Sequence, residues 1–310
     1  MRLVLACVVG WVVLALAALA DSARPAVYDR PVEPEAIAAR VWPGEQVEIE
    51  VLGGGITNRN FKVTVGGDRY VLRVGGKDTE LLGIDRAAEH AASLAAAAQG
   101  LAPEVVAFVE PEGYLVTRYV DGTVGEVDVA TVGTLLRRLH GGPALPARFD
   151  SFRVVEVYRR TALDHGVPVP PAYERAGEVA GRIERKRAGV EPRPCHNDLL
   201  DANFIADGNR LWIVDWEYAG MGDPFFDLGN FAVNHELDGD GESELLAAYG
   251  SGDLDALVLM RFMSDFREAM WGIVQQAISE LDFDFRAYAD EHFERLERTA
   301  ATPAFRVALH

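Results

Sequence analysis

The stretch Cys195–Asp227, CHNDLLDANFIADGNRLWIVDWEYAGMGDPFFD, decides how this chain reads. It sets His196, Asp198 and Asn203 in the spacing H-x-D-x-x-x-x-N and puts Asp215 at the end of an apolar run. Asn203–Ala206 and Leu211–Val214 read as short strands, and Asp207-Gly208-Asn209 between them is a strong turn signal. Such a hairpin folds the chain back and brings Asn203 and Asp215 together at its open end. Asp198 falls on the loop just before. In this layout one carboxylate takes the proton of an attacking hydroxyl. An amide and a second carboxylate hold magnesium on nucleotide phosphates, through the hard oxygen ligands that ion prefers. Each residue alone reads as a turn or cap. The combination reads as a phosphoryl-transfer site, with Asp198 as base, His196 bracing its loop, and Asn203 and Asp215 as metal ligands.

Upstream, Glu33–Val41 reads as a short helix with Pro34 in its first turn. Val47–Leu52, Phe61–Val65 and Tyr70–Val74 alternate as strands of an antiparallel meander. The turn after the first strand, Gly53–Asn60, reads GGGITNRN, and its glycines permit close approach of backbone N–H groups to an anion. A helix follows from Ile84 to Ala98, carrying Glu89, with Asp85 as an early acid that complements the helix dipole. Leu115–Val120 is another strand, broken at Asp121-Gly122.

Downstream, Leu135–His140 closes a helix stopped by Gly141 and Gly142. Residues 155–190 read as helical with a charged, solvated face. Phe262, Phe266, Met270, Val274 and Ile278 recur at helical spacing as a core stripe.

The 310 residues suffice for two modest lobes, and the net charge of -18 disfavours nucleic acid as a partner. It is compatible with a cationic substrate. Cys7 and Cys195 form neither a disulfide framework nor a zinc spacing. Leu3–Ala20 is an uncharged apolar run that reads as a secretory signal, a single membrane anchor or an upstream start. An exported kinase would lack nucleotide, so the expected place is the cytoplasm, with a membrane role only if that leader is genuine.

The chain resembles the choline/ethanolamine kinases, within the wider aminoglycoside phosphotransferase and protein-kinase-like superfamily. The residues that carry the resemblance are His196-Asn197-Asp198-Leu199 with Asn203, Asp215-Trp216-Glu217-Tyr218, Gly222-Asp223-Pro224 and Asp227-Leu228-Gly229-Asn230. It extends from about Val47 to about Ser279.

The resemblance implies an α+β, two-lobed kinase-like fold. Residues 1–20 are the leader, 21–46 a linker and short helix, 47–120 a small antiparallel β lobe that binds nucleotide, and 121–310 a mainly helical catalytic lobe. It implies ATP and Mg²⁺ as cofactors. It gives Gly54, Gly55, Thr57 and Asn58 a place over the phosphates and makes Arg73 a phosphate ligand paired with Glu89. It puts the backbone of Arg118, Tyr119 and Val120 at the adenine. The acceptor it implies is a small cationic amino alcohol, choline or ethanolamine, with Trp271 and Tyr218 as aromatic walls and Glu217 facing the cation or supporting the metal. Thiamine or an aminoglycoside is the alternative acceptor. The alternative of another class is a non-catalytic nucleotide-binding or exported binding protein, against which the intact Asp198, Asn203 and Asp215 argue.

Overall fold

The computed structural model describes residues 33–53, 58–76, 78–279 and 281–310. Gly54, Gly55 and Thr57 of the glycine turn, and the apolar run Leu3–Ala20, lie outside them. The chain forms two compact units. One reaches to Thr79 and adds Pro103–Asp121; the other comprises Glu80–Ala102 and Gly122–His310.

The first unit holds five strands: β1 (Val47–Leu52), β2 (Asn58–Val65), β3 (Asp68–Gly75), β4 (Val105–Val109) and β5 (Tyr114–Arg118). They form one antiparallel sheet in the order β1-β2-β3-β5-β4. Alternation drives the register: Phe61, Val63 and Val65 of β2 and Tyr70, Leu72 and Val74 of β3 turn to one face and are buried. The Pro34–Val41 helix lays Ile37 on that face, and Val116 completes the cluster. The meander is as expected, with β2 and β3 each longer than the apolar runs suggest. β4 is additional: VVAFV lacks alternation and follows Pro103, so it carries little strand signal.

The second unit is mainly helical. Its longest element, the Leu254–Ile278 helix, is buried nearly all round. Phe262, Phe266, Met270 and Val274 form the expected stripe, whereas Ile278 at the end is half-buried. The helices Pro224–Asn234, Ser151–Asp164, Phe285–Ala300 and Pro303–Leu309 pack around it. Gly229 is where the Pro224–Asn234 helix crosses it: a Cβ there would stand 2.6 Å from the backbone of Met260 and Arg261. The Arg86–Ala98 helix, read from sequence within the 47–120 lobe, buries Ala92 and Ala96 against Leu136, Leu139 and Phe204 in the core of this second unit.

Much of the acidic excess has a structural use. Among the described residues, seven helices start on an aspartate whose side chain accepts a first-turn N–H: Asp85, Asp128, Asp150, Asp223, Asp238, Asp253 and Asp284. Asp85 is therefore the N-cap itself rather than an acid inside the first turn, bonding Ala87 N at 2.9 Å and Ala88 N at 3.1 Å. Among the described residues no helix is long and apolar enough to cross a membrane.

Candidate active site

The quoted stretch lies inside the second unit and forms the expected hairpin, with Asn203 in a 3-10 turn rather than in the first strand and Val214 just past the second. It begins on β7 (Arg193–Cys195), which leads into the loop that bears Asp198. β8 (Phe204–Ala206) and β9 (Leu211–Ile213) then pair as a hairpin, and β6 (Thr123–Val124) flanks β8. Asp207 makes the turn by accepting Asn209 N and Arg210 N, and Gly208 takes φ +85°. Asn203 closes a 3-10 turn just before β8. Its carbonyl accepts Val214 N at 2.9 Å, which ties it to the residue preceding Asp215. Asn203 and Asp215 thus flank the hairpin's open end.

Two residues here sit in the left-handed backbone region: Asn197 at φ +68° and Asp215 at φ +65°. Asparagine and aspartate tolerate that region better than most residues, and such departures concentrate at functional sites.

The loop bearing Asp198 is held by its backbone. Asp227, fully buried on the Pro224–Asn234 helix, accepts His196 N at 2.8 Å and Asn197 N at 2.7 Å. One turn on, Asn230 Oδ1 accepts Leu199 N at 2.6 Å, and its amide donates to Ser264 Oγ at 3.0 Å. The D-L-G-N run therefore has a physical meaning. The acid and the amide share a helix face and capture three loop N–H groups, while the glycine lets two helices cross. The i, i+3 spacing of Asp227 and Asn230 was the available signal for this role.

His196 is buried with both ring nitrogens committed. Nδ1 accepts Asp198 N–H at 3.2 Å, and Nε2 donates to Val214 O at 3.1 Å. Burial holds its pKa below the ordinary imidazole value. Neutral and fully bonded, it positions the loop and has no ring nitrogen left for proton transfer. His140, Cys195 and Asp227 bring three ligand-type atoms within 4.8 Å of one another. Their bonding describes a brace: His140 Nε2 meets Asp227 Oδ2 at 3.0 Å and its Nδ1 meets Tyr249 Oη at 2.9 Å. Burial pushes the Cys195 thiol well up, away from the thiolate form that binds metal or attacks.

Asp198 is 8% exposed, and burial pushes its carboxyl up to about 7, against the opposing charge of Arg267 and with Glu268, Asp215 and Glu217 adding to the rise. Arg267 Nη1 lies 3.1 Å from its Oδ1, and Asn203 Nδ2 lies 3.3 Å from its Oδ2 and 2.8 Å from its carbonyl. The Asn203 amide nitrogen is therefore committed to Asp198, which leaves its carbonyl oxygen as the atom for a cation. With the half-buried Asp215 carboxylate this is a hard-oxygen donor pair that fits magnesium.

The residues expected at the acceptor, Glu217, Tyr218 and Trp271, each have protein partners in the second unit. Glu217 accepts Arg86 Nη1 at 3.2 Å, and Glu89 accepts the same nitrogen at 2.7 Å. Arg86 thus joins two buried carboxylates. The ring of Tyr218 carries the Arg267 guanidinium at 4.4 Å. Trp271 is 8% exposed and meets Phe285 and Tyr288 edge-on at 5.9 and 5.7 Å. Trp271→Ala should therefore lower unfolding stability by ~3–5 kcal/mol, and Trp271→Phe should restore part of it. Thermal melts read alongside the acceptor's Michaelis constant check this. An acceptor constant that rises in a Trp271→Phe protein of wild-type stability would put the ring in the acceptor site instead.

In the first unit, Asn58 opens β2 opposite Gly75, and Arg73 on β3 lies opposite Asn60 and Leu115. Arg118 rests on Tyr70 at 4.9 Å and bonds Glu104 at 3.2 Å; Tyr119 packs with Lys62 and Arg69 and gives its N–H to Arg69 O. Val120 is half-buried. Glu89 belongs to the second unit.

Residues 48–266 match the phosphotransferase enzyme family. A solved choline/ethanolamine kinase family protein from Mesorhizobium loti is 34% identical, with a TM-score of 0.75, and the match covers 89% of this chain and 97% of that one. Protein LicA of Haemophilus influenzae is 27% identical over 209 residues, which are 63% of this chain and 61% of LicA. The match thus spans about three fifths of that relative's length. Human ethanolamine kinase 2 is 27% identical over 299 residues, covering 82% of this chain and 76% of the human protein. The braced Asp198 loop, the hairpin and the D-L-G-N helix sit inside the matched region, and the chain belongs to the phosphotransferase enzyme family and, within it, to the choline/ethanolamine kinase family.

Proposed function

We propose that this protein is an ATP- and magnesium-dependent kinase that phosphorylates the hydroxyl of a small amino alcohol, choline or ethanolamine. The observation that carries the reading is the carboxylate of Asp198, buried, fixed at both oxygens and set beside the Asn203–Asp215 pair.

In this reading Asp198 accepts a hydrogen bond from the acceptor hydroxyl, aims it and takes its proton as the bond to phosphorus forms. Its raised pKa suits that task, since a base poised near neutrality both ionises and binds a proton readily. Asn203 and Asp215 hold the cation, which supplies charge neutralisation on the phosphates. Gly54, Gly55, Thr57, Asn58 and Arg73 serve the phosphates, and the backbone at Arg118, Tyr119 and Val120 serves the adenine. His196, Asp227 and Asn230 keep the loop from moving as charge shifts across Asp198.

The electrostatics support a cationic acceptor. Asp215, Glu217 and Glu268 lie close enough to Asp198 to push its carboxyl further up, and the whole chain carries a net charge of -18. Carboxylates gathered near the base are compatible with an ammonium group on the acceptor.

The test is an ADP-release panel with choline, ethanolamine, thiamine and aminoglycosides. Turnover with choline or ethanolamine is expected. Turnover only with thiamine or an aminoglycoside would replace the acceptor and keep the reaction. Nucleotide binding without turnover on any hydroxyl compound would favour the non-catalytic reading.

A further inference from the structure

We infer that Arg267 is a positioning residue of the phosphoryl-transfer site: it fixes one oxygen of Asp198 and thereby sets the direction in which the carboxylate meets the acceptor. The inference rests on the kinase reading above.

Arg267 lies on the Leu254–Ile278 helix, 69 residues along the chain from Asp198, and is 1% exposed. Its guanidinium is held by three residues. The Tyr218 ring lies against it at 4.4 Å, and Nη1 donates both to Glu268 and, at 3.1 Å, to Asp198. Glu268 is itself fixed, because its second oxygen accepts Tyr288 Oη at 2.8 Å. Tyr288 packs between Trp271 at 5.7 Å and His292 at 4.4 Å. A continuous chain of contacts thus runs from the aromatic core to one oxygen of the base. Asn203 holds the other oxygen at 3.3 Å, so the carboxylate cannot rotate about its own axis without losing a bond.

Stability alone does not explain this arginine. Arg267 Nε and Nη2 are buried with no hydrogen-bond acceptor among the described residues. Unsatisfied buried donors are unfavourable, and a buried ion pair often contributes no more than well-packed apolar residues of similar volume. The flanking Phe266, Ala269 and Met270 are apolar and fully buried, so the helix face would accept such a residue. What an apolar side chain cannot do is hold the Asp198 oxygen.

The test is a double-mutant cycle in the full chain. Arg267→Met, Arg267→Lys and Tyr288→Phe are each made alone and with Asp198→Asn. kcat and both Michaelis constants are measured on whichever acceptor the panel identifies, beside thermal unfolding midpoints. Arg267→Met should lower kcat ~10–100-fold, the scale of a misplaced catalytic group, with the Michaelis constant for ATP unchanged. Arg267→Lys should recover part of the rate. In the Asp198→Asn background Arg267→Met should add little, since the proton-accepting carboxylate that it orients is gone. Tyr288→Phe removes only a hydroxyl and serves if Arg267→Met does not fold; a lower kcat at unchanged stability is expected, again without further effect on Asp198→Asn. Losses that multiply with Asp198→Asn, or an unchanged kcat in folded Arg267→Met or Tyr288→Phe, would overturn the inference. A wild-type protein inert toward every acceptor would overturn the kinase reading and this inference with it.

Discussion

Asp198→Asn is expected to abolish phosphoryl transfer while ATP still binds. Asparagine keeps the volume of the side chain and one oxygen, so Arg267 retains a partner where Oδ1 now stands at 3.1 Å. What is lost is the negative charge and the ability to accept a proton. Removing a general base lowers rates by ~10²–10⁴-fold. Nucleotide affinity should change little, because the base acts on the acceptor hydroxyl. Asp198 also offsets part of the Arg267 charge, and Glu268 remains as a partner of the same Nη1. The variant should therefore melt a few degrees lower and remain folded, rather than collapse as when a buried ion is left without any partner. ADP release, ATP titration and thermal melts on one preparation separate these effects. Turnover near the wild-type rate would remove Asp198 from the chemistry.

The parts of this molecule that are legible in its sequence are those encoded locally. β1, β2 and β3 announce themselves by alternation, and the β8–β9 hairpin by its Asp-Gly-Asn turn. H-x-D-x-x-x-x-N is local too, so spacing alone is enough to pair Asp198 with Asn203. What stays hidden is encoded at a distance. Asp227 binds loop N–H groups 30 and 31 residues upstream; its i, i+3 pairing with Asn230 marks a polar helix face but does not name those partners. Arg267 is hidden for the same reason, and more deeply, with 69 residues between it and Asp198. The aromatic residues are a different case. Tyr218 and Trp271 are the right residue types for a cation cage; one ring supports Arg267 and the other meets Phe285 and Tyr288 edge-on. The resemblance supplies the cage as an expectation, while these protein contacts depend on residues distant in sequence and are not legible in it. β4 escapes notice because a short apolar run without alternation is equally a buried helix segment.

Asp215→Asn is expected to erase the magnesium dependence of ATP binding and, with it, turnover. The substitution suits the site structurally. Asp215 holds φ +65°, and asparagine adopts the left-handed region as readily as aspartate, so the backbone after β9 need not move. The tie between Val214 N and Asn203 O at 2.9 Å is made by the main chain and survives. What changes is the donor set for the cation. A carboxylate and an amide oxygen become two amide oxygens, and the cation loses its one charged protein ligand of this pair. Magnesium keeps most of its water and relies on one or two carboxylates plus phosphate oxygens, so the loss of one carboxylate removes much of the protein's share. ATP titrated with and without magnesium should give clearly different affinities in the wild type and nearly equal ones in the variant, with thermal midpoints within a few degrees. Asn203→Ala should weaken the same dependence less, since an amide oxygen carries no net charge. If Asp215→Asn kept the full magnesium dependence, the cation would be held elsewhere in the chain. The hairpin's open end would then serve only to position Asp198.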